Sequence, residues 1–99
     1  MKKTLMKAIT AVILVGGSLT ITTPAHATRV SADGGTWDYG VAGYPGTTWS
    51  YYYHASKVHR STACNTSWCS RSADAGRGSW SRVAVQASLN NNRAYYYNY

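Results

Sequence analysis

The longest apolar run stands near the start of the chain, where only Thr10 interrupts Ala8 to Val15. Lys2, Lys3 and Lys7 surround its beginning, and beyond Gly16-Gly17-Ser18 a weaker apolar stretch carries Leu19 and Ile21. Pro24 then leads into Ala25-His26-Ala27, a small-x-small pattern of the kind signal peptidase cuts. A spanning helix needs about 20 continuous apolar residues, more than this glycine-broken run supplies. The pattern predicts a cleavable secretory signal over residues 1–27, with the cut between Ala27 and Thr28, and one domain over 28–99.

Downstream, the block of apolar residues gives way to alternation. Residues 28–35 read as a flexible arm, and Thr36 to Tyr39 as a short strand followed by turn signals at Gly40, Gly43 and Pro45-Gly46. From Thr48 to His54 the pattern has period two, with Trp49, Tyr51 and Tyr53 on one face and Thr48, Ser50, Tyr52 and His54 on the other. Val58 to Ala63 reads as another strand. Ser79 to Ala87 is the clearest, with Ser81, Val83, Val85 and Ala87 opposite Trp80, Arg82, Ala84 and Gln86. Ser70 to Gly78 has no period and reads as loop. Asn90-Asn91-Asn92 is a turn, and Arg93 to Tyr99 a Tyr-rich final strand. Short strands at this spacing predict an all-β fold, a small antiparallel sandwich or barrel.

Composition changes the expected core. Residues 28–99 keep five Val and Leu89 as their large aliphatics, against four Trp and nine Tyr. A domain this small is marginally stable, so the rings must supply the core, each burying about 150–250 Å². Trp80 and the Tyr51/Tyr53 face are expected inside, and Trp68, in a turn, outside. The formal charge of +7 falls to +4 for residues 28–99, which still favours anionic partners. Three Asp and no Glu leave little material for carboxylate-pair catalysis or a calcium cage.

Cys64 and Cys69 bracket Asn65-Thr66-Ser67-Trp68, and His54 and His59 precede them at the same five-residue interval. Two His and two Cys could bind zinc. Residues five apart on a strand face opposite sides, however, and an oxidising destination favours a disulfide. No cofactor or metal is expected. Asn65-Thr66-Ser67 also matches a glycosylation sequon, although a tight turn is the simpler reading. His54 and His59 could serve as acid and base in a small secreted nuclease. Against this, no further catalytic group stands nearby, and the simpler reading has His54 capping its strand and His59 half-exposed. Binding suits the composition better, because Arg and Lys interleaved with rings can grip phosphate and cover sugars. Lys57, His59, Arg60, Trp68 and Arg82 are the candidate target-binding residues.

Gly34-Gly35-Thr36-Trp37, Ser56-Lys57-Val58-His59, Trp80 at the head of the late strand and Tyr95-Tyr96-Tyr97-Asn98 follow one another in order. With the signal, this arrangement resembles the lactococcin 972-like bacteriocins from about Gly34 to Tyr99. The resemblance implies a β-sandwich of two three-stranded antiparallel sheets, secreted without modified residues. It also implies inhibition of related Gram-positive bacteria through the wall precursor lipid II, at the division septum. Cys64 and Cys69 depart from the family's founding member, which has no cysteines. The expected partners are lipid II or another anionic envelope component, an immunity protein in the producer, and a second copy of the chain; nucleic acid is not expected. A non-toxic wall-binding module is the other alternative.

Overall fold

Asp33 and Gly34 alone join the first two strands of the domain, β2 (His26–Ala32) and β3 (Gly35–Val41), which pair antiparallel with Ala32 opposite Gly35. Both turn residues have positive φ, 50° and 83°. That is the backbone of a type I′ hairpin, whose twist matches the flanking strands and which Asp-Gly adopts readily. Residues 28–35 are therefore a strand and its turn, not a flexible arm. The structure, a computed structural model, describes residues 10–14, 26–42 and 45–99.

Strand β4 (Thr47–His54) pairs with β3 and with β7 (Ser79–Gln86), giving a sheet of order β2-β3-β4-β7. The other sheet has the order β1-β8-β5-β6, from β1 (Thr10–Leu14), β8 (Asn92–Asn98), β5 (His59–Cys64) and β6 (Cys69–Arg71). Every pairing is antiparallel. The all-β, two-sheet expectation holds, but the sheets have four strands each instead of three. The first gains β2 through the Asp33-Gly34 turn. The second gains β1, from within the expected signal; without it that sheet is three-stranded. Residues 1–9 and 15–25, with most of the expected signal, lie outside the described residues, and the expected cut falls inside β2. Ser70 and Arg71, expected as loop, belong to β6.

The buried face of β4 is Thr48, Ser50, Tyr52 and His54, so three of its four inward positions lack a large apolar group. The ring cluster inside comprises Trp37, Tyr52 and Tyr96 with Ala94, flanked by Ala32 and Tyr39. Tyr52 stacks on Tyr96 at 4.5 Å between centroids, and Trp37 meets Tyr96 edge-on at 4.8 Å. Around the rings, hydroxyls and amides fill the interior. Ser61 and Ser81 hydroxyls lie 2.6 Å apart across the two sheets, and Asn98 Nδ2 donates to the Tyr52 hydroxyl at 3.0 Å. With few aliphatics available, the sandwich is held by rings and by inter-sheet hydrogen bonds whose buried partners are costly to remove.

This reverses one sequence expectation. Trp49, Tyr51, Tyr53 and Trp80 are half-buried and lie on the outer face of their sheet. Aromatic content and alternation do not say which face looks inward. The inward face is set by which side chains can pair across the gap between sheets, and Tyr52, flanked by small hydroxyls, fits there.

Candidate functional site

The outer face of β2-β3-β4-β7 brings rings and charges into register. Tyr51 stands opposite Asp38 on β3 and Arg82 on β7, Asp38 stands opposite Arg29 on β2, and Tyr53 opposite Trp80. Asp38 accepts from Arg29 Nη2 at 2.9 Å and from the Trp49 indole at 3.0 Å. The Arg82 guanidinium carbon lies 5.6 Å from the ring centroids of both Tyr51 and Trp80, and that of Arg29 lies 5.4 Å from Trp80. Tyr53 packs against Trp80 at 5.6 Å. Arg29 directs Nε and Nη2 at Asp38, whereas Arg82 is held by its ring contacts alone, so the surface offers aromatic rings and, at Arg82, an open guanidinium fork. Such a face can cover a sugar ring and grip a phosphate.

A smaller assembly occupies the outer face of the other sheet. Arg60 lies 4.6 Å above Tyr97 and donates to the Tyr99 hydroxyl at 2.7 Å, which in turn donates to the Asp74 carboxylate at 3.0 Å. Partial burial and then the Asp74 bond push the Tyr99 pKa above its ordinary value, with the Arg60 charge opposing. Arg60, Thr62, Tyr95, Tyr97 and the disulfide line a shallow groove here.

The two histidines are interior. His54 Nδ1 accepts from the backbone N–H groups of Ser56 and Lys57, leaving Nε2–H to donate to Asp33 O at 3.0 Å. His59 is fully buried, correcting its expected half-exposure. Its ring bridges two carbonyls, Lys57 O at 2.7 Å and Ser79 O at 2.8 Å, tying the β4–β5 turn to β7. All four ring nitrogens thus face backbone partners, and none is presented to a substrate. His59 cannot contact a target directly.

Cys64 and Cys69 face each other in the β5–β6 register and form the expected disulfide. Asn65 closes the loop they bracket: its Oδ1 accepts from Ser67 N and Trp68 N, and its Nδ2 donates to Gln86 O. This buried amide is a turn clasp, not an exposed sequon. Among the described residues, no group of three or more His, Cys, Asp and Glu could hold a metal.

The candidate residues read from the sequence do not converge. Arg82 lies on the first outer face and Arg60 on the second; Lys57 is exposed in the β4–β5 turn, Trp68 at the disulfide loop, and His59 inside. Arg29 and Asp38 are the residues of this face that the sequence pattern does not single out. The Asp33-Gly34 hairpin signal was the clue, because it puts β2 beside β3 and Arg29 opposite Asp38.

Fold and surface together define a small all-β sandwich with a ring-and-guanidinium outer face. The family model described as Bacteriocin (Lactococcin_972) matches residues 33–96, and the chain belongs to this lactococcin 972 family of bacteriocins. Comparison with curated proteins and with solved structures gives no match.

Proposed function

We propose that the protein is a secreted bacteriocin that binds lipid II, or another anionic wall precursor, on the outer face of β2-β3-β4-β7, and thereby blocks septum synthesis in related Gram-positive cells. Family membership supports the bacteriocin reading and implies secretion. The observation that carries the binding reading is the Arg82 guanidinium held over Trp80 and Tyr51, beside an Arg29 that Asp38 fixes in place. Lipid II joins a pyrophosphate to amino sugars, and this face offers the Arg82 fork for the first and flat rings for the second. Binding rather than catalysis is the mode of action. The two-histidine nuclease has no imidazole nitrogen with which to act, since backbone groups engage all of them.

The test is growth inhibition by the secreted protein, with and without added lipid II. Inhibition relieved by lipid II supports the reading. Inhibition indifferent to lipid II sinks the proposed target, and wall binding without inhibition points instead to a non-toxic module.

A further inference from the structure

Two loops meet at one end of the sandwich, the Asn65–Trp68 turn between β5 and β6 and the Ala87–Asn91 connection between β7 and β8. They are firmly braced. Asn65 Nδ2 donates to Gln86 O at 2.9 Å, Thr66 N to Ser88 Oγ at 3.0 Å, and Thr66 Oγ1 to Asn90 O at 3.0 Å. Asn92 and Ser88 exchange two further bonds, and the Cys64–Cys69 bridge closes the base of the first loop. Despite this bracing, each loop holds a large apolar side chain in solvent: Trp68 is 53% exposed and Leu89 66%. Both line one groove, whose other walls are Asn, Ser, Thr and Gln with Ala87.

These bonds fix the backbone from which both side chains project into solvent. A Trp and a Leu projecting from a rim of small polar side chains match the boundary between lipid headgroups and acyl chains, where amphipathic rings partition. The charge distribution agrees. The described carboxylates lie elsewhere: Asp33 in the β2–β3 turn and Asp74 beside Tyr99, both at the opposite end, and Asp38 midway along β3. Arg93, by contrast, reaches this end and donates to Asn65 O at 2.8 Å. With a formal +4 over residues 28–99, the tip faces an anionic surface without repulsion.

We propose that the paired loops carrying Trp68 and Leu89 form a docking tip for the surface of an anionic phospholipid bilayer. This surface is separate from the ring-and-guanidinium face and does not depend on lipid II. The tip enters the headgroup layer without spanning it and holds the protein where membrane-anchored ligands are found.

The experiment uses protein purified from the growth medium of a Gram-positive expression host, and vesicles without lipid II. Sedimentation with phosphatidylglycerol–phosphatidylcholine vesicles is compared with phosphatidylcholine alone. Binding to the anionic vesicles is expected, with a loss of about tenfold or more in the double variant Trp68→Ser, Leu89→Ser, because two apolar side chains leave the interface. Leu89→Ser alone, which leaves the residues of the disulfide loop unchanged, guards against a folding defect, and an unchanged far-ultraviolet spectrum confirms the fold of both variants. Arg82→Ala retains vesicle binding, which separates this proposal from the wall-precursor reading. Equal binding by wild type and the double variant, binding to a protein partner but not to vesicles, or no anionic preference would each overturn it.

Discussion

The indole of Trp37 donates to Ser50 Oγ over 2.9 Å, and Ser50 donates onward to Tyr95 O at 2.8 Å. This short relay runs from β3 through β4 into β8, joining the two sheets through one hydroxyl. Ser50→Ala removes both bonds and leaves the buried indole N–H without an acceptor. The expected cost is about 2–3 kcal/mol, toward the upper end for a single hydroxyl. Trp37→Phe deletes the donor and ring volume together and should cost at least as much. Urea unfolding of both variants checks the order; a neutral Ser50→Ala would remove the relay from the account of stability.

Tyr52 should make the protein sensitive to alkali. Burial, opposed by the Asn98 bond and reinforced by Tyr96 and Asp33, pushes its pKa up to about 12 from 10.0. Below pH 10 the phenol is neutral folded and unfolded, and its contribution is fully present. Between pH 10 and about 12 the unfolded chain ionises first, so stability falls by roughly 3 kcal/mol. Urea midpoints measured across this range should decline, and decline less in Tyr52→Phe. That variant is itself weaker at neutral pH by about 1–2 kcal/mol, having lost the bond to Ala32 O and one acceptor of Asn98 Nδ2, which keeps a longer bond to Asp33 O.

Gly35 admits no side chain. A Cβ there would overlap Tyr53 O and press within 2.9 Å of the Tyr52 ring. Gly35→Ala must therefore push β3 from β4 or shift a core ring. A loss of about 1–3 kcal/mol is expected by thermal melting. Gly76→Ala, where nothing lies within 4 Å, is the matched control and should be nearly neutral.

Reduction of Cys64–Cys69 reopens a short loop, and the chain-entropy model assigns about 2 kcal/mol to it. Asn65→Ala acts on the same loop by removing the acceptor for two backbone N–H groups and a donor to Gln86 O. The two perturbations share one turn, so their combined cost should be less than their sum. A double cycle of reduction and mutation followed by melting temperature measures that shortfall; strict additivity would show that the loop is not one unit.

On the ring-and-guanidinium face, Arg82→Lys keeps the charge and loses the planar fork stacked on Tyr51 and Trp80. Growth inhibition should fall about tenfold or more with little change in melting temperature, since Arg82 is exposed. Arg60→Lys, on the other sheet, should leave inhibition close to wild type. Equal losses at both positions would place the target elsewhere.

Much of the architecture could be read in advance. Period two exposed β4 and β7, the bracketed tetrapeptide located the disulfide turn, and the ordered motifs pointed to the family now matched over residues 33–96. The hairpin β2–β3 was also legible, because Asp33-Gly34 suits a turn with two positive φ angles, but the polar residues before it suggested an arm. The ring-and-guanidinium face was only half legible. Arg82 stood out as a cation beside a ring, whereas Arg29 and Asp38 gain meaning only when β2 lies beside β3.

What the sequence determined by itself follows from local rules: alternation makes strands, turn residues punctuate them, and scarcity of aliphatics forces rings into the core. Which rings go there is not local. Tyr51, Tyr52 and Tyr53 are chemically identical neighbours, yet Tyr52 is buried with bonds to Ala32 and Asn98 while the other two face outward. A strand offers two faces of comparable character, and the choice depends on what the opposing sheet presents. Tyr96 and Asn98 lie far from Tyr52 along the chain, and only their meeting with it across the sandwich decided it.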